Sequence, residues 1–124
     1  MLAKANRITS ADDYRVLVRR GAKVAGAHTV SYIRPRDEGD AARFGFIVSK
    51  KVGTAVCRNL VRRRLKAACR ELVDDGTSGV DIVVRALPSA ADAGWDALEA
   101  DVLRAIRQAR AGRPARAAEP TQGR

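Results

Sequence analysis

The chain has 124 residues, 46% hydrophobic and only 4% aromatic, which bounds it to one domain with a modest, mostly aliphatic core. Its 24 Lys and Arg against 14 Asp and Glu give a formal net charge of +10, a field that attracts polyanions, nucleic acid first and an acidic membrane surface second. A single histidine excludes a His-based triad or metal cluster, and no run is long and apolar enough to span a membrane. Residues 1–10 carry no apolar signal core, and the spacing of Cys57 and Cys69 fits neither a zinc nor a redox motif. Both thiols read as small hydrophobes of a reducing compartment, which places the chain in the cytoplasm.

In chain order, Ser10 followed by Asp13 reads as a capping box with Asp in the place of Glu. Tyr14, Leu17 and Val18 form an apolar stripe behind it and Gly21 closes it, predicting a first helix over residues 11–20. His28 to Arg34 reads as a strand ended by Pro35, and residues 36–42, "RDEGDAA", as a polar loop or hairpin tip. Phe44 to Val52 reads as the next strand. Gly53 and Thr54 turn the chain into a second helix, with Thr54 as N-cap, that runs to Val73 and stops at Asp74, Asp75 and Gly76. Val80 to Leu87 is a strand bounded by Gly79 and Pro88, and Trp95, Leu98, Val102 and Ile106 place one apolar face on a last helix. Residues 1–110 form the single domain. Residues 111–124 lack periodicity and are expected to be a disordered tail.

The charge is concentrated. From Arg43 to Arg70 the chain has nine basic residues and no Asp or Glu, so nine of the ten net charges lie in this stretch. A solubilising surface mixes signs, whereas this one segregates them. At 100° per residue, Val61, Leu65, Ala68 and Leu72 fall in one narrow sector of the second helix. Asn59, Arg62, Arg63, Lys66 and Arg70 form a ridge beside it, about 16 Å long. Like charges such as Arg62 and Lys66 at i,i+4 weaken an isolated helix. A ridge that keeps them without acids is matched to phosphates, which Arg binds with a bidentate fork. Lys50 and Lys51, in "SKKVG" at 49–53, feed the same neighbourhood.

"ANR" at 5–7, "FGFIVSKKVGTAVCRNLVRRRLKAACRE" at 44–71 and "DIVVRALP" at 81–88 together resemble the bacterial ribonuclease P protein subunit, over about residues 4 to 108. The resemblance implies an α+β sandwich ordered helix, three strands, helix, strand, helix, with a left-handed crossover through the basic helix. Residues alone predict three strands, so the fourth is expected within 36–44 or merged with the strand begun at Phe44. The resemblance also implies a partner, the catalytic ribonuclease P RNA, and a substrate, precursor tRNA, whose 5′ leader the protein contacts. In that family the RNA subunit performs the hydrolysis with Mg²⁺. The protein is then a subunit of an endoribonuclease and binds no cofactor or membrane of its own.

Position by position, Arg58, Asn59, Arg62, Arg63 and Lys66 match the RNA-facing helix and Lys50 and Lys51 the turn before it; Arg70 joins them as an RNA-binding candidate from the ridge. Tyr14, Val18 and Tyr32 match positions lining a cleft for the leader. Two residues depart from the pattern: Leu60 stands where the family has Arg or Lys, and Val18 where an aromatic is common. Two other readings compete. A structural RNA-binding protein of ribosomal type has similar charge. A stand-alone nuclease needs clustered carboxylates or a His acid–base pair, which this sequence does not present.

Overall fold

The computed structural model describes residues 2–118. Its elements are α1 (Ala11–Arg20), β1 (Ala22–Ala25), β2 (Thr29–Pro35), β3 (Arg43–Ile47), α2 (Ala55–Asp74), β4 (Val80–Ala86) and α3 (Trp95–Ala118), with 3₁₀ turns at Lys4–Asn6, Lys50–Val52 and Pro88–Asp92. Both predicted caps form. Ser10 Oγ accepts the N–H groups of Asp12 and Asp13, and Thr54 Oγ1 accepts that of Cys57 at 3.3 Å.

The four strands make one sheet in the order β1-β2-β4-β3. β2 is antiparallel to both β1 and β4, with Tyr32 opposite Val83. β3 is parallel to β4, with Ile47 opposite Arg85, so α2 is the crossover between two adjacent parallel strands. α2 and α3 cover one face of the sheet. There Val61, Leu65, Ala68 and Leu72 of α2, with Leu98, Val102 and Ile106 of α3, pack on Phe44, Ile82 and Val84. α1 lies on the other face over a smaller cluster containing Ile8, Leu17, Val30, Tyr32 and Val83. The sheet is thus buried on both sides at its centre, and its C-terminal edge at β3 is where the chain turns toward α2.

Five expectations are corrected. The additional strand is β1, four residues directly after α1, rather than a segment within 36–44. The loop at 36–42 is not a hairpin tip, because β4 lies between β2 and β3. It crosses the start of β4 instead, with Arg36 N–H donating to Gly79 O at 2.8 Å and Gly79 N–H donating to Asp40 O at 2.7 Å. β3 ends at Ile47, where Ser49 caps the 3₁₀ turn that carries Lys50 and Lys51. Trp95 is 46% exposed and does not join Leu98, Val102 and Ile106 in the core, because it is the first residue of α3. The last helix continues to Ala118, so the expected tail begins as helix over 111–118. Residues 119–124 lie outside the described residues.

Gly53 makes the turn into α2. Its φ of 154° and ψ of −161° belong to a region essentially reserved for glycine, and a Cβ there would stand 2.9 Å from Cys57 Sγ.

Candidate nucleic-acid interface

α2 presents the basic ridge because its buried stripe fixes its rotation against the sheet. With Val61, Leu65, Ala68 and Leu72 inside, Arg63 and Arg70 are exposed and Arg62 and Lys66 half-buried on the adjoining flank. Arg62 is held in place: Nη1 donates to Asn59 Oδ1 at 3.3 Å and Nη2 to the Val48 carbonyl at 3.5 Å. Arg58 stands nearer the core than the rest of the ridge; it is half-buried, and its Nε is a buried donor with no protein acceptor. Arg70 lies 3.6 Å from Asp74. Lys50 and Lys51 are exposed on the turn preceding α2.

Two of the nine charges in the acid-free segment serve the fold instead. Arg43 makes a bidentate pair with Asp81 of β4, at 2.9 and 2.7 Å. This hydrogen bonding outweighs the opposing effect of burial and raises the guanidinium further above its ordinary value. Arg64 donates to the Ala93 carbonyl at 3.0 Å, tying α2 to the segment before α3. The stretch has no acid in sequence, but the sheet brings Asp81 to it from 38 residues away.

On the opposite face of the sheet, Tyr14, Arg15, Val18 and Arg19 of α1 and Ile47 of β3 line an open groove. Val18 is 41% exposed, and Tyr14 is half-buried with its ring over Gly45. Tyr32, expected to offer a stacking surface, is only 7% exposed and belongs to the small core under α1. The alternation of β2 puts its ring on the α1 face, but α1 covers it. Arg15, Arg19 and Ile47 were not anticipated. Only the packing of α1 against the end of β3 brings them together.

The ridge and the groove meet at the C-terminal end of β3. Ile47 lines the groove, the next residue, Val48, accepts from Arg62, and Lys50 and Lys51 follow. The "ANR" segment guards the free edge of β3: Asn6 Nδ2 donates to Ala42 O at 2.8 Å and Ile8 N–H to Phe44 O at 2.9 Å.

His28, Ser89 and Asp101 also come together, but not as a triad. Ser89 Oγ donates to Ala27 O at 3.0 Å, so its oxygen is left to accept from His28 Nδ1 at 2.9 Å. Asp101 accepts backbone N–H groups of Ala27 and His28, at 3.0 and 3.1 Å, rather than the imidazole. The constellation pins the β1–β2 turn. A second cluster not anticipated is Glu71, Asp75 and Glu99, whose carboxylate oxygens lie within 4.8 Å of one another. Burial first, then repulsion by Glu71, Asp75 and Asp96, raises the Glu99 carboxyl.

The ribonuclease P family profile matches residues 2–110. The ribonuclease P protein component of Clavibacter michiganensis is 47% identical over 110 residues, covering 88% of this chain and 96% of its own. The RNase P protein of Staphylococcus aureus superposes with a TM-score of 0.72 at 29% identity, over 86% of this chain and 96% of its own. A mutant of the staphylococcal protein described as having defective mRNA degradation activity superposes with a TM-score of 0.74, also at 29% identity, over 86% of this chain and 90% of its own. With the family profile spanning nearly all of the described residues and the same helix–strand order, the chain belongs to the ribonuclease P protein family.

Proposed function

We propose that the chain is the RNA-binding protein subunit of a ribonuclease P ribonucleoprotein that matures the 5′ ends of tRNA in the cytoplasm. In this reading Lys50, Lys51, Arg58, Asn59, Arg62, Arg63, Lys66 and Arg70 meet phosphates of the ribonuclease P RNA and, where the ridge adjoins the groove under α1, those of the single-stranded leader of precursor tRNA that the groove receives. The observation that carries it is the junction at the end of β3, which sets a cationic ridge and a half-apolar groove side by side. A single strand needs both: cations for its phosphates and an apolar wall for its bases. Tyr14 and Val18 supply the wall, with Tyr32 beneath them as support.

The hydrolytic step belongs to the RNA subunit and the Mg²⁺ it holds. The protein's acidic trio, Glu71, Asp75 and Glu99, falls on the side of α2 away from the ridge, by the helical spacing of Glu71 and Asp75. The described residues contain no helix long and apolar enough to cross a membrane.

The test is cleavage of a leader-bearing precursor tRNA with and without ribonuclease P RNA. The protein alone should leave the substrate intact, and the assembled enzyme should release mature 5′ ends more efficiently than the RNA alone. His28→Ala should retain that activity. Specific 5′ cleavage by RNA-free protein, abolished by His28→Ala, would restore the nuclease reading. Copurification with ribosomal RNA, rather than one discrete species, would favour a structural ribosomal role.

A further inference from the structure

At the opposite end of β4 from Lys50 and Lys51, a cavity of about 180 Å³ opens between the end of α1, the end of β2 and α3. Ile33 and Val80 are among its lining residues, together with three arginines, Arg20, Arg34 and Arg110. No acidic residue is among its lining residues. The three come from α1, β2 and α3, so only the assembled fold brings them together. Arg110 is anchored by donating to the Ser78 carbonyl. Arg20 and Arg34 are exposed, and no ion pair to an acid is formed by either among the described residues. Arg34 stands directly across from Asp81 in the β2–β4 register, but the Asp81 carboxylate is already held by Arg43 at 2.7 Å and Arg36 at 3.6 Å. Glu38 lines only the neighbouring hollow that Arg110 shares.

Neighbouring cations without a counter-charge repel one another, and an anion bound among them relieves that repulsion. The cavity is smaller than the roughly 300 Å³ at which pockets for drug-sized ligands begin, but is large enough for a single phosphate group. Arg forks suit that group.

We infer that Arg20, Arg34 and Arg110 form a second phosphate-binding site, which takes a backbone phosphate of the RNA partner about 17 Å along β4 from the groove. The inference rests on the RNA-binding reading above. It adds a contact on a part of the surface that neither the α2 ridge nor the groove includes.

The experiment measures binding of the ribonuclease P RNA encoded in the same genome, as a function of salt, for three proteins. They are the unaltered chain, Arg20→Gln/Arg34→Gln/Arg110→Gln, and Arg62→Ala/Arg63→Ala. The triple variant should bind the RNA about tenfold more weakly at low salt, with the log–log salt slope shallower by about 0.7–0.9, the loss of one phosphate contact, and should keep its thermal unfolding midpoint. Arg20→Lys/Arg34→Lys/Arg110→Lys should retain most of the slope. If the unaltered chain and the ridge variant differ as expected but the glutamine variant binds RNA like the unaltered chain, the site is not an RNA contact and the inference fails alone. If the unaltered chain does not bind the RNA, the functional reading fails and takes the inference with it. Stabilisation by inorganic phosphate that the glutamine variant loses, with RNA affinity unchanged, would assign the site to a free anion and overturn the RNA assignment.

Discussion

The Tyr14 hydroxyl accepts the N–H of Phe46 at 3.1 Å, while its ring lies against Gly45, where a Cβ would stand 2.6 Å from the ring carbon Cζ. The helix on one face of the sheet thereby satisfies a free donor on the edge strand, and a residue without a side chain makes room for the ring that does it. This contact sets the wall of the groove.

Gly45→Ala should therefore displace Tyr14 and lose the bond to Phe46. Overpacking of this kind costs about 1–3 kcal/mol. Tyr14→Phe removes the acceptor alone and should cost about 1 kcal/mol. Urea unfolding of both variants checks the order. If the groove binds the leader, Gly45→Ala should also weaken binding of a leader-bearing precursor tRNA more than of a leaderless one. Equal stability of Gly45→Ala and the unaltered protein would show that the ring can shift at no cost.

Asp101 governs the response to acid. The carboxylate is only 5% exposed, and burial by itself would raise it. Hydrogen bonds from Thr29 Oγ1 at 2.6 Å, His28 N–H at 3.1 Å, Arg104 at 2.8 Å and Ala27 N–H at 3.0 Å overcome burial, so the group titrates below its ordinary range. The folded state then binds fewer protons than the unfolded state in that range. Its contribution is fully present above the unfolded value, near ~3.9, and is lost as pH falls through the lower folded value. Asp101→Asn should lower stability by about 1–3 kcal/mol at neutral pH. The gap to the unaltered protein should narrow only below about pH 4. A gap that stays constant through that range, in unfolding curves taken at successive pH values, would show that the carboxylate is not the origin of the effect.

Much of this fold was legible in residue order, and the failures have distinct causes. α1 and α2 carry their own start signals in Ser10 and Thr54, and their buried stripes repeat at helical spacing. β1 is four residues with one buried side chain, Val24, between Gly21 and Gly26, too short for alternation to register. Val48 and Val52 look like strand continuation, yet both are buried by the turn that Ser49 caps. Tyr32 shows the limit of period-2 reasoning: it assigns a side chain to a face and cannot say whether a helix covers that face. Arg43 shows the limit of charge counting, because its counter-ion arrives from another strand. The ridge survived both limits, since the spacing of Val61, Leu65, Ala68 and Leu72 fixes the helix rotation locally.

Salt dependence measures the ridge. Four or five phosphate contacts to a single-stranded leader predict a log–log slope of affinity against salt of about −3 to −3.5. Arg62→Ala with Arg63→Ala should make that slope shallower by about 1.4, because phosphate contacts position the strand rather than react with it. Arg62 carries an added role through its bond to Val48, so the variant should also loosen the junction between ridge and groove. A slope near zero for the unaltered protein in a leader-binding titration would remove electrostatics as the source of affinity.

Leu60 tests the rotation of α2 directly. It is half-buried, sits in neither hydrophobic cluster, and follows Val56, which is 81% exposed one turn earlier. The two form an apolar strip on a flank of the helix separate from the core stripe. Leu60→Arg places a cation where related proteins were expected to have one, at i,i+4 from Arg64, whose guanidinium is held by the Ala93 carbonyl at 3.0 Å. A like-charge pair at that spacing costs roughly 0.2–0.5 kcal/mol, and a surface change of this kind stays within about 0.5 kcal/mol. Cooperative thermal unfolding should therefore persist at nearly the same midpoint. Affinity for the ribonuclease P RNA should rise, and the salt slope should steepen by about 0.7–0.9, one added phosphate contact. Unchanged affinity with intact folding would mean that this flank of α2 faces solvent in the complex. Loss of cooperative unfolding would mean that the side chain supports the core, and that the helix is rotated from the orientation described.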